Sequence, residues 1–371
     1  MTTAMPGADT VRGLGRELSR TRLRAQNGIK LIAGTDPPQV GVTPKNEVWS
    51  RGKVRLYRYR SDRVCHGPPL LLFIGLMSRP YFLDLHPGNS FVERLLEAGF
   101  DVFLLDWGAP DAAEGDHGLE TYVDYYLPRA IDAVLRVAGS VDVTIVGYCM
   151  GAFLALLALG SRDDLPVRNL VVLTPLVDLH QSSGAAEHLR NGVLEPESFI
   201  DETTNLVPAS LVKAFFRLRK PTADAVQYVN LWEHLWRKGY AQGHQAMAQW
   251  VWDHVALPGP AFLQLAHDYI RDNALMTGQA RVGGRPVRLR SITVPALIMT
   301  AERDELVPPA CSAPLAGMLG SPDIEAHAMP AGHIGLIMGR TGAGMSSALI
   351  VDWLKRHSTP KEAPCPSTSA G

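Results

Sequence analysis

Val141-Asp142-Val143-Thr144-Ile145-Val146-Gly147-Tyr148-Cys149-Met150-Gly151 decides the fold of this chain. An apolar run ends in a cysteine with a glycine two residues to either side, and a second apolar run, 152–159, follows at once. This pattern predicts a strand, a tight turn and a buried helix, with Cys149 in the turn. Glycines are expected at the flanking positions because the turn is too tight for side chains there. The backbone of the cysteine is then strained.

Cys149 in this setting indicates a nucleophile. A G-x-nucleophile-x-G turn between a strand and a helix is the nucleophile elbow of α/β-hydrolases. Lipases and esterases have a serine at this position, whereas a thiolate is the better nucleophile near neutral pH and forms a thioester on attack. The thiol therefore favours acyl transfer between thiols and alcohols over ester hydrolysis. A lone buried cysteine is more often a small apolar side chain, but the two glycines favour the nucleophile.

The composition is that of a soluble globular protein. The 371 residues are 46% apolar and 20% charged, with a formal net charge of -1, which argues against general nucleic-acid binding. No apolar run reaches the roughly 20 residues that span a bilayer, and the first residues lack the pattern of a secretory signal. Cys65, Cys149, Cys311 and Cys365 have no C-x-x-C spacing. We therefore expect no disulfide framework or zinc site, and a reduced, cytoplasmic setting.

The order of predicted elements gives the fold class. Strands and helices alternate from 46 to 174 and again from 294, which predicts an α/β-hydrolase fold with a doubly wound, mostly parallel sheet. The alternation stops in an aromatic-rich stretch of helical pattern, which we interpret as an inserted, mainly helical cap. The predicted boundaries are an N-terminal helical extension at 1–45, the core at 46–178 and 281–358, the cap at 179–280, and a disordered tail at 359–371.

An elbow nucleophile needs a histidine base and an acid that orients the base. In this fold the acid and the histidine follow the nucleophile in that order. Asp304 and His333 each lie just past a predicted strand, at the carboxyl end where open α/β sheets build their sites. We therefore predict a triad of Cys149, His333 and Asp304, equivalent to Ser-His-Asp with sulfur in place of oxygen.

Other residues compete for the acid and base roles. Asp178 follows another predicted strand and is the second candidate acid. Glu302 and Glu305 are close in sequence to the preferred acid. His327 is the second candidate base, but it lies within a predicted strand, whereas the preferred histidine lies between glycines on a loop.

The oxyanion formed on attack needs two backbone N–H donors. One is expected from Met150, directly after the nucleophile, and the other from the loop after the strand at 70–74, at Leu76 or Met77. Loss of one such donor typically lowers the rate by roughly 100-fold or more.

Six blocks of sequence carry a resemblance to a known family. They are 81–90, 101–108, 147–151, 257–260, 302–309 and 332–335. Through them the chain resembles the polyhydroxyalkanoate (poly-3-hydroxybutyrate) synthase family, and in length and layout the catalytic subunit of its short, two-component class. The resemblance extends from about residue 44 to 357.

The resemblance implies roles for the three triad residues. Cys149 would be the nucleophile, Asp304 the acid partner and His333 the base. The thiolate would take the 3-hydroxyacyl group from a 3-hydroxyacyl-coenzyme A thioester, and free coenzyme A would leave. His333 would then activate a 3-hydroxyl group that attacks the acyl thioester and lengthens a polyester. Coenzyme A is thus part of the substrate and a released product, and no separate cofactor is implied.

The resemblance also implies partners and a location. Two-component members need an accessory subunit of different sequence, so a homo- or hetero-oligomer is implied. They act in the cytoplasm at the surface of polymer granules, without a transmembrane segment. Two alternatives stay open: a cysteine hydrolase acting on thioesters, lactones or esters, and a non-catalytic granule-associated homologue.

The chain departs from the family pattern in two places. Ala152 stands after the elbow where the family usually has glycine, and the cap at 180–260 matches least well. A polyanionic coenzyme A also leads us to expect a basic site entrance. Four arginines before the strand at 294 are candidates for it, although a solvated charged loop is the alternative interpretation. They are Arg281, Arg285, Arg288 and Arg290.

Overall fold

A nine-stranded sheet forms the centre of the computed structural model, which describes residues 7–33, 37–218, 232–237, 240–339 and 342–360. The strands are β1 (Lys45–Arg51), β2 (Val54–Tyr59), β3 (His66–Phe73), β4 (Phe100–Asp106), β5 (Val143–Tyr148), β6 (Val167–Leu173), β7 (Ala296–Ala301), β8 (Ile324–Met329) and β9 (Thr359–Pro360). Their order is β1-β2-β4-β3-β5-β6-β7-β8, with β9 beside the start of β3. In this spatial order, the neighbouring strands β4, β3, β5, β6, β7 and β8 are parallel to one another. This confirms the predicted, mostly parallel sheet.

The helices lie mostly between the parallel strands and in the segment before β7. The longer ones are α1 (Gly7–Ala33), α2 (Phe91–Glu97), α3 (Leu127–Ala138), α4 (Met150–Ser161), α5 (Ala185–Arg190), α6 (Ala209–Leu218), α7 (Tyr240–Trp252), α8 (Gly259–Gln264) and α9 (Gly342–Arg356). Short α-helical turns are Ala274–Thr277, Pro309–Ser312 and Leu315–Met318, and π-helical segments are Thr121–Tyr126 and Leu265–Arg271. The 3-10 turns are Pro80–Asp84, Ala112–Glu114, Leu179–Gln181, Pro196–Phe199, Leu289–Ser291 and Ile334–Leu336.

Helices cover both faces of the sheet. One apolar cluster joins the sheet to α3 and α4, and the other joins it to α2 and α9. Every residue of α4 from Met150 to Gly160 is buried, as expected for a helix that is apolar all round. This helix therefore fixes the elbow rigidly against the core.

The described residues between β6 and β7 are mainly helical. Two-residue strands Leu206–Val207 and Leu257–Pro258 pair there, as do Arg281–Val282 and Arg285–Pro286. Residues 219–231 and 238–239 of the predicted cap lie outside the described residues, and its boundaries stay a prediction. At the predicted tail, Thr359 and Pro360 pair with β3, and residues 361–371 lie outside the described residues.

The N-terminal helix contacts the segment 232–237. The Asn27 side-chain amide donates to the Leu235 carbonyl over 2.6 Å, and the Arg20 guanidinium lies 4.5 Å from the centre of the Trp236 ring. These contacts show that the N-terminal helix packs on its own chain. Leu18 and Ile29 of the same helix are exposed.

The block 81–90 has a structural role around a buried carboxylate. Asp84 is 1% exposed and accepts hydrogen bonds from the hydroxyl groups of Thr43 (2.5 Å) and Ser90 (2.8 Å). Ser90 also caps α2 by accepting the Glu93 N–H. A buried carboxylate is stable only when it is hydrogen-bonded or paired, so this network ties the segment before β1 to α2.

Candidate active site

Cys149 occupies the turn between β5 and α4. Its φ of 54° and ψ of -121° are values that residues with a side chain rarely adopt. Its N–H donates to the Leu173 carbonyl at the end of β6 over 2.8 Å. Such a conformation costs about 1–3 kcal/mol and persists only where the surroundings enforce it. The burial of α4 and this hydrogen bond supply that enforcement.

The glycines of the elbow are required by close backbone contacts. A Cβ added at Gly151 would lie 2.5 Å from the Phe73 carbonyl oxygen, and one at Gly147 would lie 2.7 Å from the Cα of Ala152. Real Cβ atoms do not come so close to backbone atoms, so no other residue fits without movement. Ala152 itself is fully buried, and its backbone lies against Gly147.

His333 and Asp304 meet in a buried hydrogen bond. The Nδ1 of His333 lies 2.7 Å from the Oδ2 of Asp304, and both side chains are buried. The other carboxylate oxygen of Asp304 accepts the N–H groups of Leu306 and Val307. These donors hold the carboxylate in place. Because the Nδ1 of His333 is bonded to Asp304, its Nε2 is the nitrogen available to the thiol of Cys149. The thiol lies close enough to the imidazole for Cys149 to raise the pKa of His333.

The electrostatics of the site favour a protonated imidazole. Burial alone lowers the pKa of His333, but the charges of Cys149 and Asp304 and the hydrogen bonds to both raise it to about 9. Burial, with the charges of Cys149 and Asp304, raises the pKa of Tyr148 well above its usual range. The Tyr148 hydroxyl therefore stays protonated, and it donates to the His333 carbonyl over 2.8 Å.

We expect the pH profile of kcat/KM for thiol release to depend on Asp304. The imidazolium must protonate the leaving thiolate, so the alkaline limb of the wild-type profile should lie near the pKa of about 9. Asp304→Asn removes a charge that raises this pKa, while the burial that lowers it remains. The limb should then move at least about one unit to lower pH. Asp178→Asn is the matched control, and an unmoved limb in Asp304→Asn would show that the carboxylate does not act on His333.

The expected oxyanion donors lie around the elbow. Met150 is the first residue of α4, so its N–H has no acceptor within the helix. Leu76 and Met77 form the turn after β3. A Cβ added at Gly75, which precedes them, would lie 2.9 Å from the Met150 Cβ. The residue that precedes this turn therefore lies against Met150.

Two residues that sequence reasoning did not assign to the site support it. Trp107, in the block 101–108, donates its indole N–H to the Ile74 carbonyl over 2.8 Å, just before the oxyanion turn. Tyr148 holds the loop of the candidate base, as described above. The signals in sequence were present, because Trp107 belongs to a block of the family resemblance and Tyr148 is the residue before the nucleophile.

The competing candidates belong to other networks. Asp178 accepts a hydrogen bond from the side-chain amide of Asn273 and another from the N–H of His180 in its own turn. His327 lies on β8, 3.5 Å from the carboxylate of Glu325. Glu302 and Glu305 are exposed. Among the described residues, Asp178, His327 and Glu302 make no hydrogen bond or ion pair with His333 or Cys149.

The arginines at 281–290 lie at the wrong end of α4 for a site entrance. The Arg288 N–H donates to the Gly160 carbonyl, eleven residues along the helix from the elbow, or about 16 Å. Arg285 pairs with Asp124, and Arg281 donates to the Gly284 carbonyl. The expectation of a basic entrance at these residues is therefore wrong, because α4 separates them from Cys149.

A family model described as "alpha/beta hydrolase fold" matches residues 68–339. The poly(3-hydroxyalkanoate) polymerase subunit PhaC of Allochromatium vinosum is 31% identical over 335 residues, which are 89% of this chain and 93% of that protein. The subunit of the same name from Synechocystis sp. is 31% identical over 89% of this chain and 90% of that protein.

A third relative is longer than this chain. The poly(3-hydroxyalkanoate) polymerase subunit PhaC of Haloferax mediterranei is 30% identical over 86% of this chain, but the match spans only 65% of that protein. Among the described residues, no helix is both long and apolar enough to cross a bilayer. The matches over nearly whole chains identify this protein as a member of the poly(3-hydroxyalkanoate) polymerase PhaC family, within the α/β-hydrolase superfamily.

Proposed function

We propose that this chain is a polyester polymerase, which transfers 3-hydroxyacyl groups from coenzyme A thioesters to a growing chain through Cys149. The observation that carries the proposal is the buried hydrogen bond between His333 and Asp304 at the elbow of Cys149, whose thiol raises the pKa of the same imidazole. A thiol nucleophile with a fixed imidazole is suited to exchange between thioesters. The activity in the names of the relatives supports the same reaction.

The first half of the reaction starts from the thiolate of Cys149 and the imidazolium of His333, which form when the thiol proton passes to the Nε2 of His333. The thiolate attacks the carbonyl carbon of the substrate thioester. The oxyanion that forms accepts hydrogen bonds from the N–H of Met150 and from one N–H of the turn at Leu76 and Met77. The carbon–sulfur bond to coenzyme A then breaks. The leaving thiolate takes the proton from His333, so free coenzyme A and an acyl thioester of Cys149 are formed.

In the second half, His333 takes the proton of a 3-hydroxyl group, and that oxygen attacks the acyl thioester of Cys149. An ester bond forms, the bond to the Cys149 sulfur breaks, and the proton on His333 returns to the thiolate. The Asp304 carboxylate stabilises the imidazolium that forms in each half. One coenzyme A is released for each ester formed, and no water is consumed.

We further propose that the chain works with an accessory subunit of different sequence, in an oligomer at the surface of polymer granules in the cytoplasm. The support is the resemblance to the short, two-component class. Coenzyme A enters and leaves as part of the substrate, so we propose that no separate cofactor takes part.

The test is to mix the purified chain with 3-hydroxybutyryl-coenzyme A, with and without the accessory subunit of a two-component polymerase. Thiol release and insoluble polyester are measured together. We expect thiol release in proportion to polymer formed. Thiol release with soluble 3-hydroxybutyrate alone would instead identify a cysteine hydrolase, and the absence of thiol release under both conditions would identify a non-catalytic homologue.

A further inference from the structure

The end of α7 holds the turn that follows β3. We call residues 75–78 the oxyanion turn, because one of its N–H groups is the expected second oxyanion donor. The Val255 N–H, just past α7, donates to the Met77 carbonyl over 3.0 Å. The Trp250 indole, within α7, donates to the Arg79 carbonyl over 3.0 Å, one residue past the turn. The segment inserted between β6 and β7 therefore bonds to the turn at one carbonyl and to its exit at another.

Buried side chains fix α7 against the residues that follow the oxyanion turn. The rings of Trp250 and Phe82 stack with their centres 4.5 Å apart, and both are buried. The Tyr81 hydroxyl donates to the Asp253 carboxylate over 2.7 Å. A close-packed aromatic pair and a part-buried hydrogen bond leave little freedom to the segment that carries them. The Val255 N–H therefore approaches the oxyanion turn from a fixed direction.

A series of hydrogen-bonded peptide groups runs from Val255 to the N–H of Leu76. The Met77 carbonyl, which accepts the first bond, shares a peptide group with the Ser78 N–H. That N–H donates to the Gly75 carbonyl over 3.3 Å, and this carbonyl shares a peptide group with the Leu76 N–H. Because the C=O and N–H of a trans peptide point in opposite directions, these bonds orient the Leu76 N–H at the end of the series. Each bond also polarises the next one.

The N–H of Met77, the other candidate donor, lacks this support. It shares a peptide group with the Leu76 carbonyl, which accepts no hydrogen bond among the described residues. The Leu76 N–H is oriented by the series and has no acceptor in the same part of the chain, as an oxyanion donor requires. Its peptide group also includes Gly75, where an added Cβ would lie 2.9 Å from the Met150 Cβ. The Leu76 N–H is therefore close to the residue that supplies the first donor.

We propose that the Leu76 N–H is the second oxyanion donor, and that Val255 and Trp250 position it from the inserted segment. Neither of these two residues touches the reacting atoms, so both are positioning residues. The inserted segment is then part of the machinery that acylates Cys149, because a movement of α7 away from the oxyanion turn would release the Leu76 N–H. The proposal rests on the proposed function only in that the same oxyanion hole would serve its acyl transfer.

The experiment compares two reactions of the Cys149 thiolate. With p-nitrophenyl acetate, the sulfur bonds to the carbonyl carbon, p-nitrophenolate leaves, and the reaction passes through an oxyanion. With iodoacetamide, the sulfur bonds to the methylene carbon and iodide leaves, so no oxyanion forms. Trp250→Phe keeps a ring against Phe82 but loses the indole N–H. We expect this variant to lower the rate constant for acylation by about tenfold and to leave the rate constant for alkylation unchanged.

Trp353→Phe is the matched control for this substitution. Trp353 is buried in the same apolar cluster as Trp250, but its indole N–H has no partner among the described residues. The control should keep both rate constants. Unchanged acylation in Trp250→Phe, or an equal decrease in both of its reactions, would overturn the proposal.

Val255→Pro tests the first bond of the series, because proline has no N–H. The folded variant should be acylated about 100-fold more slowly than the wild type, with alkylation kept, and wild-type acylation would overturn the proposal. Val255→Ala keeps the N–H and should restore acylation relative to Val255→Pro. If the proline variant does not fold, Trp250→Phe decides. Acylation of the wild type by p-nitrophenyl acetate without thiol release from 3-hydroxybutyryl-coenzyme A would contradict the proposed function alone, so the two failures are distinguishable.

Discussion

Cys149→Ala is expected to lower thiol release from 3-hydroxybutyryl-coenzyme A by at least about 10⁴-fold. The proposed reaction passes through a covalent thioester on this sulfur, and alanine cannot form one. The fold should persist, because an alanine can keep the N–H bond to Leu173 and the burial of α4 does not depend on the thiol. The measurement is thiol release at saturating substrate, with mass spectrometry of the protein to detect the acyl-enzyme.

Cys311→Ala is the matched control for this prediction. Cys311 is fully buried, and its sulfur lies 3.4 Å from the Ser182 hydroxyl. This variant should keep most of the wild-type activity and still form the acyl-enzyme. Activity in Cys149→Ala above about one tenth of the wild-type value would show that the nucleophile lies elsewhere.

Gly151→Ala is expected to destabilise the protein by about 3 kcal/mol or more. The added Cβ would lie 2.5 Å from the Phe73 carbonyl oxygen and 2.8 Å from the Ile74 Cα. Both atoms belong to the backbone at the end of β3. The clash with the added Cβ can therefore be relieved only if α4 moves away from this strand. The measurement is the urea midpoint of the purified variant, or its soluble yield if it does not accumulate.

Gly344→Ala is the control for the helix effect alone. Gly344 lies within α9, and a Cβ added there meets nothing within 4 Å. Gly344 is in the first turn of α9, where alanine gains less than the roughly 1 kcal/mol of a helix interior, so the midpoint of this variant should equal or slightly exceed that of the wild type. If Gly151→Ala were as stable as the wild type, the close contact between elbow and strand would not exist in solution.

The sheet and the elbow could be predicted from sequence because local patterns specify them. β5 is apolar apart from Thr144 and is buried along its whole length, as is typical of a strand covered on both faces, and glycines mark the turn that follows. His333 and Asp304 could be proposed as a pair because the carboxyl ends of parallel strands meet at one edge. The structure brings these two side chains together, and their catalytic roles stay a prediction.

Contacts between distant segments could not be predicted in the same way. The position of Arg288 at the end of α4 depends on where the chain returns after a long insertion, which no local pattern records. The Trp107 indole follows a neighbouring strand and donates to the Ile74 carbonyl. Asp84 accepts hydrogen bonds from two hydroxyl groups that belong to different segments. From the sequence, Trp107 and Asp84 could be identified only as members of blocks that carry the family resemblance. Their hydrogen bonds, which explain their structural roles, could not be predicted.

The hydrogen bond from the Cys149 N–H to the Leu173 carbonyl has a consequence for amide exchange. It continues the pairing of β5 with β6 by one residue, into the turn that carries the thiol. A backbone amide in the most buried part of a sheet exchanges with solvent deuterium only when the whole domain opens. The amide of Cys149 should therefore exchange as slowly as those of the central strands, so the nucleophile is built into the slowest-opening unit of the molecule.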